Sequence, residues 1–198
     1  MMISIRVGPM PETLPPPDLA SLSLEQIAQL AAERRLPPVE QWNPQHCGHS
    51  HMRIGRDGTW YHEGSSIDRP AMVRLFSDIL RREPDGGFIL VTPVEKLDID
   101  VDDAPFVAVE LLSEGKGRER RLGFRLNTGE AVVADRDHPI RFEQHDDGPH
   151  PYVRVRQGLD SLIARPVYYE LVRQALDEEN APIGLWSGDT FFSFESAA

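Results

Sequence analysis

The sequence contains one cysteine, Cys47, in 198 residues, and it contains no long apolar run. A single cysteine cannot form an intrachain disulfide, which favours a reducing compartment. The first ten residues lack the basic segment and apolar segment of a secretory signal, and no apolar run reaches the roughly 20 residues of a membrane-spanning helix. These absences predict a cytoplasmic protein with no membrane partner.

Positive charge is also scarce. The 32 acidic side chains exceed the 21 lysines and arginines, which gives a formal net charge of −11. An acidic surface repels a phosphate backbone, so we do not expect nucleic acid as a partner. A small anion remains compatible with this charge, because binding it requires only a local cluster of arginines.

Signatures of common catalytic and metal sites are missing as well. There is no GxSxG elbow, and the glycines of segment 55–58 precede a predicted strand, whereas a phosphate-binding loop precedes a helix. Four potential metal ligands lie within six residues, namely His46, Cys47, His49 and His51. No second cysteine and no CxxC motif accompanies them, so we interpret this cluster as a loop and predict no metal site.

Prolines and glycines divide the chain into segments. Residues 1–22, which include three consecutive prolines, are predicted to form an N-terminal arm. A capping-box pattern that begins at Ser23 predicts a short amphipathic helix that ends before Pro37. We predict an N-terminal α+β domain over residues 23–101 and a C-terminal α+β domain over residues 102–198.

The N-terminal domain is predicted to contain two strands, a helix and two further strands. Segments 52–54 and 59–62 flank a glycine turn, which favours a hairpin. Apolar residues at helical spacing follow it, and these are Met72, Leu75, Phe76, Ile79 and Leu80. Segments 88–91 and 97–101 have the patterns of a buried strand and a half-exposed strand.

The same order of elements recurs when the chain is shifted by 96 positions, the distance from Arg69 to Arg165. Each of these arginines precedes a proline at a predicted helix start. The strand of Arg53 corresponds to that of Arg154, with a connection to the helix that is about five residues shorter in the second unit. Two unrelated amphipathic helices would also share apolar spacing and an N-terminal proline. The shared distance from the helix start to the next strand nevertheless favours a duplication.

Four further β-patterned segments lie between the two units, at 106–112, 122–126, 130–134 and 140–143. The predicted fold is therefore α+β, with two domains that share a strand-strand-helix-strand-strand unit. The C-terminal domain is extended by an antiparallel meander.

Arginines at corresponding positions of the two units suggest a binding site between the domains. Arg69 and Arg165 begin helices, where the backbone dipole favours an anion. If these arginines and those at 53 and 154 converge, they could bind a planar anion such as a nucleotide, with Trp60 or Tyr61 stacked on it. Alternatively, the same arginines could pair with carboxylates and hold the domains together.

Three further segments are informative, namely Cys47–Gly64 with Ile67 and Arg69, Leu90–Lys96, and Asp103–Phe106. They resemble a bacterial family of uncharacterised proteins, domain of unknown function 1285. The resemblance covers nearly the whole chain after the arm. It implies a duplicated α+β core, a C-terminal half superficially like a pleckstrin-homology fold, and a nucleotide-type ligand at the domain interface in a signalling context. It implies no established activity and no catalytic residues.

We therefore predict a non-catalytic regulatory or signalling protein that binds a small anion, such as a nucleotide, in an interdomain cleft. The sequence assigns no catalytic residue and no cofactor. The predicted ligand-binding residues are Arg53, Asp57, Trp60, His62, Arg69, Lys96, Asp103 and Arg154. Two alternatives remain, a small-molecule hydrolase with His62 or His138 as the base and a protein-interaction adaptor.

Overall fold

A computed structural model describes residues 39–145, 148–178 and 181–194. The predicted arm and the helix predicted to begin at Ser23 lie outside these residues. The N-terminal elements are β1 (His46–Ile54), β2 (Trp60–His62), β3 (Ser65–Ser66), α1 (Pro70–Asp78), β4 (Leu80–Arg82), β5 (Phe88–Val91) and β6 (Glu95–Val101). The C-terminal elements are β7 (Phe106–Glu114), β8 (Arg121–Leu126), β9 (Ala131–Val133), β10 (Ile140–His145), β11 (Gly148–Arg156), β12 (Leu159–Ile163), α2 (Arg165–Asp177), β13 (Gly184–Ser187) and β14 (Thr190–Ser193).

Each domain contains a six-stranded sheet, and the two sheets have the same connectivity. The strand order is β3-β2-β1-β6-β5-β4 in the first and β9-β8-β7-β12-β11-β10 in the second. In both, the first and last strands pair in parallel at the centre, while the other pairs are antiparallel. The first strands begin at residues 46 and 106, which are 60 residues apart (106 − 46). This shared topology confirms the predicted α+β fold and its duplication.

The sheets also establish which strands correspond. Both domains contain strands before and after a helix, as predicted, but α1 lies between β3 and β4 of the first sheet, whereas α2 follows β12, the last strand of the second sheet. However, β5 and β6 pair within the sheet that contains β1, whereas β13 and β14 form a separate hairpin. By position in the sheets, β1 corresponds to β7, so Arg53 on β1 and Arg154 on β11 do not lie on equivalent strands. The predicted correspondence of these two strands is wrong because spacing along the sequence reports which residues are buried, but not which strands pair.

Helix α1 ends earlier than its apolar spacing predicts. It starts at Pro70, as expected for proline in a first helical turn, and it ends at Asp78. Leu80, predicted to be helical, begins β4 and pairs with Leu90 of β5. A buried leucine suits either element, and the antiparallel partner decides between them. Within the described ranges, neither this helix nor α2 is long and apolar enough to span a membrane.

One apolar core extends through both domains. It includes Ile54 and Trp60 of the first domain together with Phe106 and Leu171 of the second. On the opposite face of the first sheet, a smaller cluster contains Val39, Ile89 and Val91. Continuous burial of this kind favours cooperative unfolding of the two domains.

The segment that precedes β1 is fastened to the first sheet by Arg81. The guanidinium Nη1 of Arg81 donates hydrogen bonds to the carbonyl oxygens of Val39 at 2.8 Å and Trp42 at 2.7 Å. The same arginine pairs with Glu83, with 2.7 Å between Nη2 and Oε1. Because Arg81 is buried, these bonds satisfy a cation that would otherwise be costly to bury.

The turn between β1 and β2 packs closely against the second sheet. Asn127 Nδ2 donates to the carbonyl oxygen of Gly58 at 3.0 Å, and Asn127 Oδ1 accepts the N–H of Val107 at 3.0 Å. A Cβ atom on Gly58 would lie 2.4 Å from Asn127 Nδ2, and the φ angle of Gly58 is +80°. Glycine at this position is therefore required both by the backbone conformation and by the contact between domains.

We expect Gly58→Ala to lower the free energy of unfolding by about 2–4 kcal/mol, because left-handed strain and overpacking act together. Gly64 provides a matched control, since its φ is also +80° and a Cβ there would meet nothing within 4 Å. Gly64→Ala should therefore cost only the backbone term, about 1–2 kcal/mol. Urea unfolding of both variants measures the difference, and equal losses would contradict close packing at Gly58.

Candidate functional site: an interdomain cleft

A cleft of about 160 Å³ lies at the junction of the two domains. The first domain contributes Arg82 and Phe88, and the connection between the domains contributes residues 103–105. The second domain contributes Arg141, Glu143, Tyr152, Gly158 and Asp160. Because both domains line the cleft, any movement of one relative to the other changes its shape.

Asp103 and Tyr152 form a buried pair in this cleft. The Tyr152 hydroxyl donates to Asp103 Oδ1 at 2.8 Å. Asp103 Oδ2 lies 3.5 Å from Arg56 Nε and 3.9 Å from His150 Nδ1. Burial, followed by the hydrogen bond to Asp103, raises the pKa of Tyr152 well above its ordinary value of 10.0. Tyr152 therefore remains a protonated donor over the whole physiological range.

Tyr152→Phe is expected to lower stability at neutral pH by about 1–3 kcal/mol, because Asp103 loses a buried donor. The variant should also lose less stability than the wild type when the pH is raised above 10.0. Tyrosine in the unfolded chain ionises near pH 10.0, whereas folded Tyr152 has a raised pKa. The stabilisation that Tyr152 gives to the folded state is thus complete below pH 10.0 and is lost as the pH rises through the pKa of folded Tyr152.

The control for this prediction is Tyr169→Phe, since Tyr169 is 62% exposed. Urea unfolding between pH 7 and pH 11 should give nearly the same curve for this control as for the wild type. Identical alkaline losses in wild type and Tyr152→Phe would contradict the raised pKa.

Asp160 is held by two arginines. Its carboxylate lies 2.8 Å from Arg141 Nη2 and 2.5 Å from Arg154 Nε, and its side chain is only 6% exposed. Arg141 also pairs with Glu143, and its guanidinium lies 4.7 Å from the centre of the Tyr152 ring. The positive charges of these arginines are therefore largely compensated by carboxylates and by the face of an aromatic ring.

Arg82 has a different environment. Its Nε and Nη1 atoms are 3.3 Å and 3.4 Å from the carbonyl oxygens of Gly86 and Gly158, which are long hydrogen bonds. Its guanidinium lies 5.3 Å from the centre of the Phe88 ring, and the residue is exposed. Within the part of the chain that the structure describes, no carboxylate forms an ion pair with Arg82. It is thus the lining cation best placed to accept an anion.

The predicted convergence of arginines on this cleft is only partly seen. Asp103 lines the cleft, and Arg154 contacts the lining residue Asp160. Arg53 instead pairs with Asp102, with 2.5 Å between Nη1 and Oδ2. This pair joins β1 to the connection between the domains, as in the alternative in which arginines hold the domains together. Arg69 is the N-cap of α1 and has an exposed side chain.

The predicted stacking role of Trp60 requires correction. Its side chain is 1% exposed and stacks on Phe76, with 6.2 Å between ring centroids. Trp60 therefore belongs to the core and offers no face to a ligand in the cleft. The alternation of the strand directs one aromatic residue inward and the next outward, and the guanidinium of Arg53 lies over the ring of Tyr61 at 4.6 Å.

The other predicted residues lie outside the cleft lining. Asp57 accepts hydrogen bonds from the N–H of Thr59 at 3.0 Å and from its hydroxyl at 2.9 Å. These bonds lower the pKa of Asp57 and hold the turn. His62 is exposed at the end of β2, and Lys96 Nζ is 3.9 Å from Glu83 Oε2.

The cluster of potential metal ligands lies at the start of β1. Cys47 is exposed, and its thiol donates to the carbonyl oxygen of Gln45 at 3.5 Å. His49 Nδ1 accepts the N–H of His51 at 2.9 Å, and the side chain of His46 is not among those described. Among residues 39–145, 148–178 and 181–194, no group of three or more His, Cys, Asp or Glu side chains could hold a metal ion.

Sequence reasoning missed Arg82, Arg141 and Tyr152. Arg82 follows an apolar run predicted to be helical, and its adjacent Arg81 has no role in the cleft. Arg141 and Tyr152 lie on strands that pair with each other, at directly opposed positions. The alternation of residues on β11 could have placed Tyr152 and Arg154 on one face, but only the fold shows that this face meets Asp103.

Comparison with known proteins identifies the family. The sequence model of the DUF1285 N-terminal domain, a domain of unknown function, matches residues 37–104, and that of the DUF1285 C-terminal domain matches residues 105–194. No curated protein matches.

Two solved structures are similar to this chain. A DUF1285 family protein from Silicibacter pomeroyi is 45% identical, with a TM-score of 0.76 over 86% of this chain and 95% of the other. One from Shewanella baltica is 26% identical, with a TM-score of 0.50 over 65% of this chain and 96% of the other. With both domains matched and the duplicated sheets shared with these neighbours, the chain belongs to the DUF1285 family.

Proposed function

We propose that the protein is a non-catalytic regulatory or signalling protein that binds a small anion in the interdomain cleft. Arg82 is the observation that carries this proposal, because it is the lining cation that lacks a carboxylate partner among the described residues. The three lining carboxylates already have arginine partners: Asp103 is near Arg56, Glu143 pairs with Arg141, and Asp160 pairs with the arginines at 141 and 154. The positive charge of Arg82 is therefore the one in the lining that remains available to an anion.

The size of the cleft restricts the ligand. Sites for drug-sized molecules usually measure about 300–1,000 Å³. The volume of about 160 Å³ suits a phosphate or a small carboxylate, and a nucleotide would require the domains to move apart. A ligand that contacts both Arg82 and the second domain would stabilise the arrangement in which the two domains lie together. Binding could then regulate a partner that recognises this arrangement. The single cysteine supports placing this function in the cytoplasm.

The test is a thermal-shift series with inorganic phosphate, acetate, AMP and ATP. A ligand present at 100 times its dissociation constant should stabilise the wild type by about 2.7 kcal/mol. Arg82→Ala should markedly reduce the shift, whereas Arg136→Ala, which removes an exposed arginine outside the cleft, should retain it in full. The proposal fails if none of these anions stabilises the wild type, or if Arg82→Ala and Arg136→Ala respond alike.

A second candidate, a small-molecule hydrolase, has one specific observation in its favour. His138 Nδ1 is 3.1 Å from Asp135 Oδ1 in the connection between β9 and β10, an arrangement that can orient an imidazole base. A generic phosphatase and esterase screen tests this alternative. Turnover that disappears in His138→Ala would favour the hydrolase over the binding protein.

A further inference from the structure

A second cavity, of about 350 Å³, lies entirely in the C-terminal domain, where the end of α2 meets the turn between β7 and β8. Its size is within the usual range for ligand sites. Its lining includes Ser113, Lys116, Arg120, Gln174, Asp177 and Glu178. None of its lining residues belongs to the interdomain cleft, so the two cavities are separate sites.

Three N–H donors converge on a single carboxylate oxygen in this cavity. Glu178 Oε1 accepts from the Gly117 N–H at 2.9 Å, from Arg120 Nε at 3.2 Å and from Arg120 Nη2 at 2.6 Å. Arg120 Nη1 donates to Ser113 Oγ at 2.6 Å and also to Gln174 Oε1. The guanidinium is therefore fixed by its surroundings, and one of its five N–H groups remains for a further acceptor.

The turn that supplies these donors depends on glycine. Gly115 has a φ of +77°, and a Cβ atom there would lie 2.6 Å from the carbonyl oxygen of Glu119. The turn also contributes Lys116, an exposed residue. Among the residues described, no carboxylate pairs with Lys116. The cavity thus combines a buried guanidinium, a backbone N–H and an ammonium group with two carboxylates, those of Asp177 and Glu178.

We propose that this cavity binds a phosphoryl group, and that the Glu178 carboxylate is an internal occupant that the phosphoryl group displaces. A single oxygen of Glu178 accepts all three hydrogen bonds, so the three donors share one acceptor atom. A phosphoryl group carries up to two negative charges and three terminal oxygens. It can accept from Gly117, Arg120 and Lys116 on separate oxygens, which gives more charge-assisted bonds with better geometry. Its binding detaches the end of α2 from the turn.

The experiment measures binding of glycerol phosphate and inorganic phosphate by isothermal titration, with acetate as a monoanion control. All variants carry Arg82→Ala, so that the interdomain cleft does not contribute. Glu178→Ala should bind phosphate about tenfold more tightly than the Arg82→Ala parent, because the internal competitor is gone. Lys116→Ala should weaken binding about tenfold, whereas Arg136→Ala should leave it unchanged.

Preference for glycerol phosphate identifies a phosphate monoester site, and equal or tighter binding of inorganic phosphate identifies free phosphate as the ligand. The proposal is overturned if Glu178→Ala binds neither compound more tightly than the parent, or if Lys116→Ala matches Arg136→Ala. Should Glu178→Ala fail to fold, the comparison of Lys116→Ala with Arg136→Ala decides. Failure here leaves the interdomain proposal intact, because that site is tested through Arg82.

Discussion

Replacing Arg120 by alanine is expected to lower the free energy of unfolding by about 3–5 kcal/mol. The side chains of Arg120 and Glu178 are 8% and 14% exposed, so the substitution leaves a largely buried carboxylate without its guanidinium partner. It also removes the contact that joins α2 to the turn between β7 and β8. Urea unfolding measures this loss as a lower midpoint, and an unchanged slope would show that unfolding still exposes the same surface.

Arg173→Ala is the matched control for the Arg120 prediction. Arg173 lies on α2, the helix that Arg120 contacts, and it pairs with Glu170 and Asp177, but its side chain is 62% exposed. Exposed pairs of this kind are screened by solvent, so we expect little or no change in stability. If the two alanine variants unfolded at the same denaturant concentration, burial of the Arg120 pair would not be what stabilises this end of the domain.

Replacing Trp60 by alanine should cost about 3–5 kcal/mol, which is the usual penalty for removing a large aromatic side chain from a packed core. Trp60 is 1% exposed, and it stacks on Phe76 of α1. Among the residues that the structure describes, its indole Nε1 has no hydrogen-bond partner. Trp60→Phe should therefore cost much less than Trp60→Ala, because phenylalanine keeps most of the apolar contact and removes the unsatisfied donor.

The neighbouring residue offers a control for Trp60. Tyr61 is half-buried and lies on the other side of the strand, so Tyr61→Ala should lose only its contact with Arg53, about 0.5–1 kcal/mol. The temperature shift produced by an anion bound at Arg82 should persist in folded Trp60→Phe. A Trp60→Phe variant of normal stability that no longer responded to any anion would restore Trp60 as a ligand-stacking residue.

Much of the fold could be predicted from the sequence because its signals are local. The glycine turn at 55–58 between β-formers predicts the β1–β2 hairpin, which forms as expected. Arg165 followed by proline and apolar residues at helical spacing predicts α2, which begins at Arg165. A second occurrence of the same order of elements indicates duplication, and the two sheets confirm it. These features depend on residues close together in the sequence, where propensity and periodicity act.

The candidate site was much harder to predict, because its contacts are distant in sequence. Tyr152 and Asp103 are 49 residues apart, and Arg82 and Gly158 are 76 apart. Asp103 was predicted from a sequence resemblance, whereas no local pattern distinguishes Arg82 from the adjacent Arg81. Only the packing of the two domains shows that Arg82 lines the cleft while Arg81 fastens the segment before β1.

The sequence by itself therefore determined the α+β class, the positions of most strands, the start of both helices and the presence of a duplication. The tertiary structure decided which strands of the two sheets correspond, which side of β2 is buried, and which arginine of the cleft lining has no carboxylate partner among the described residues. The physical reason is that strand pairing and ion pairing depend on contacts between distant segments. A single sequence records the periodicity of burial, but not the partner that buries each face.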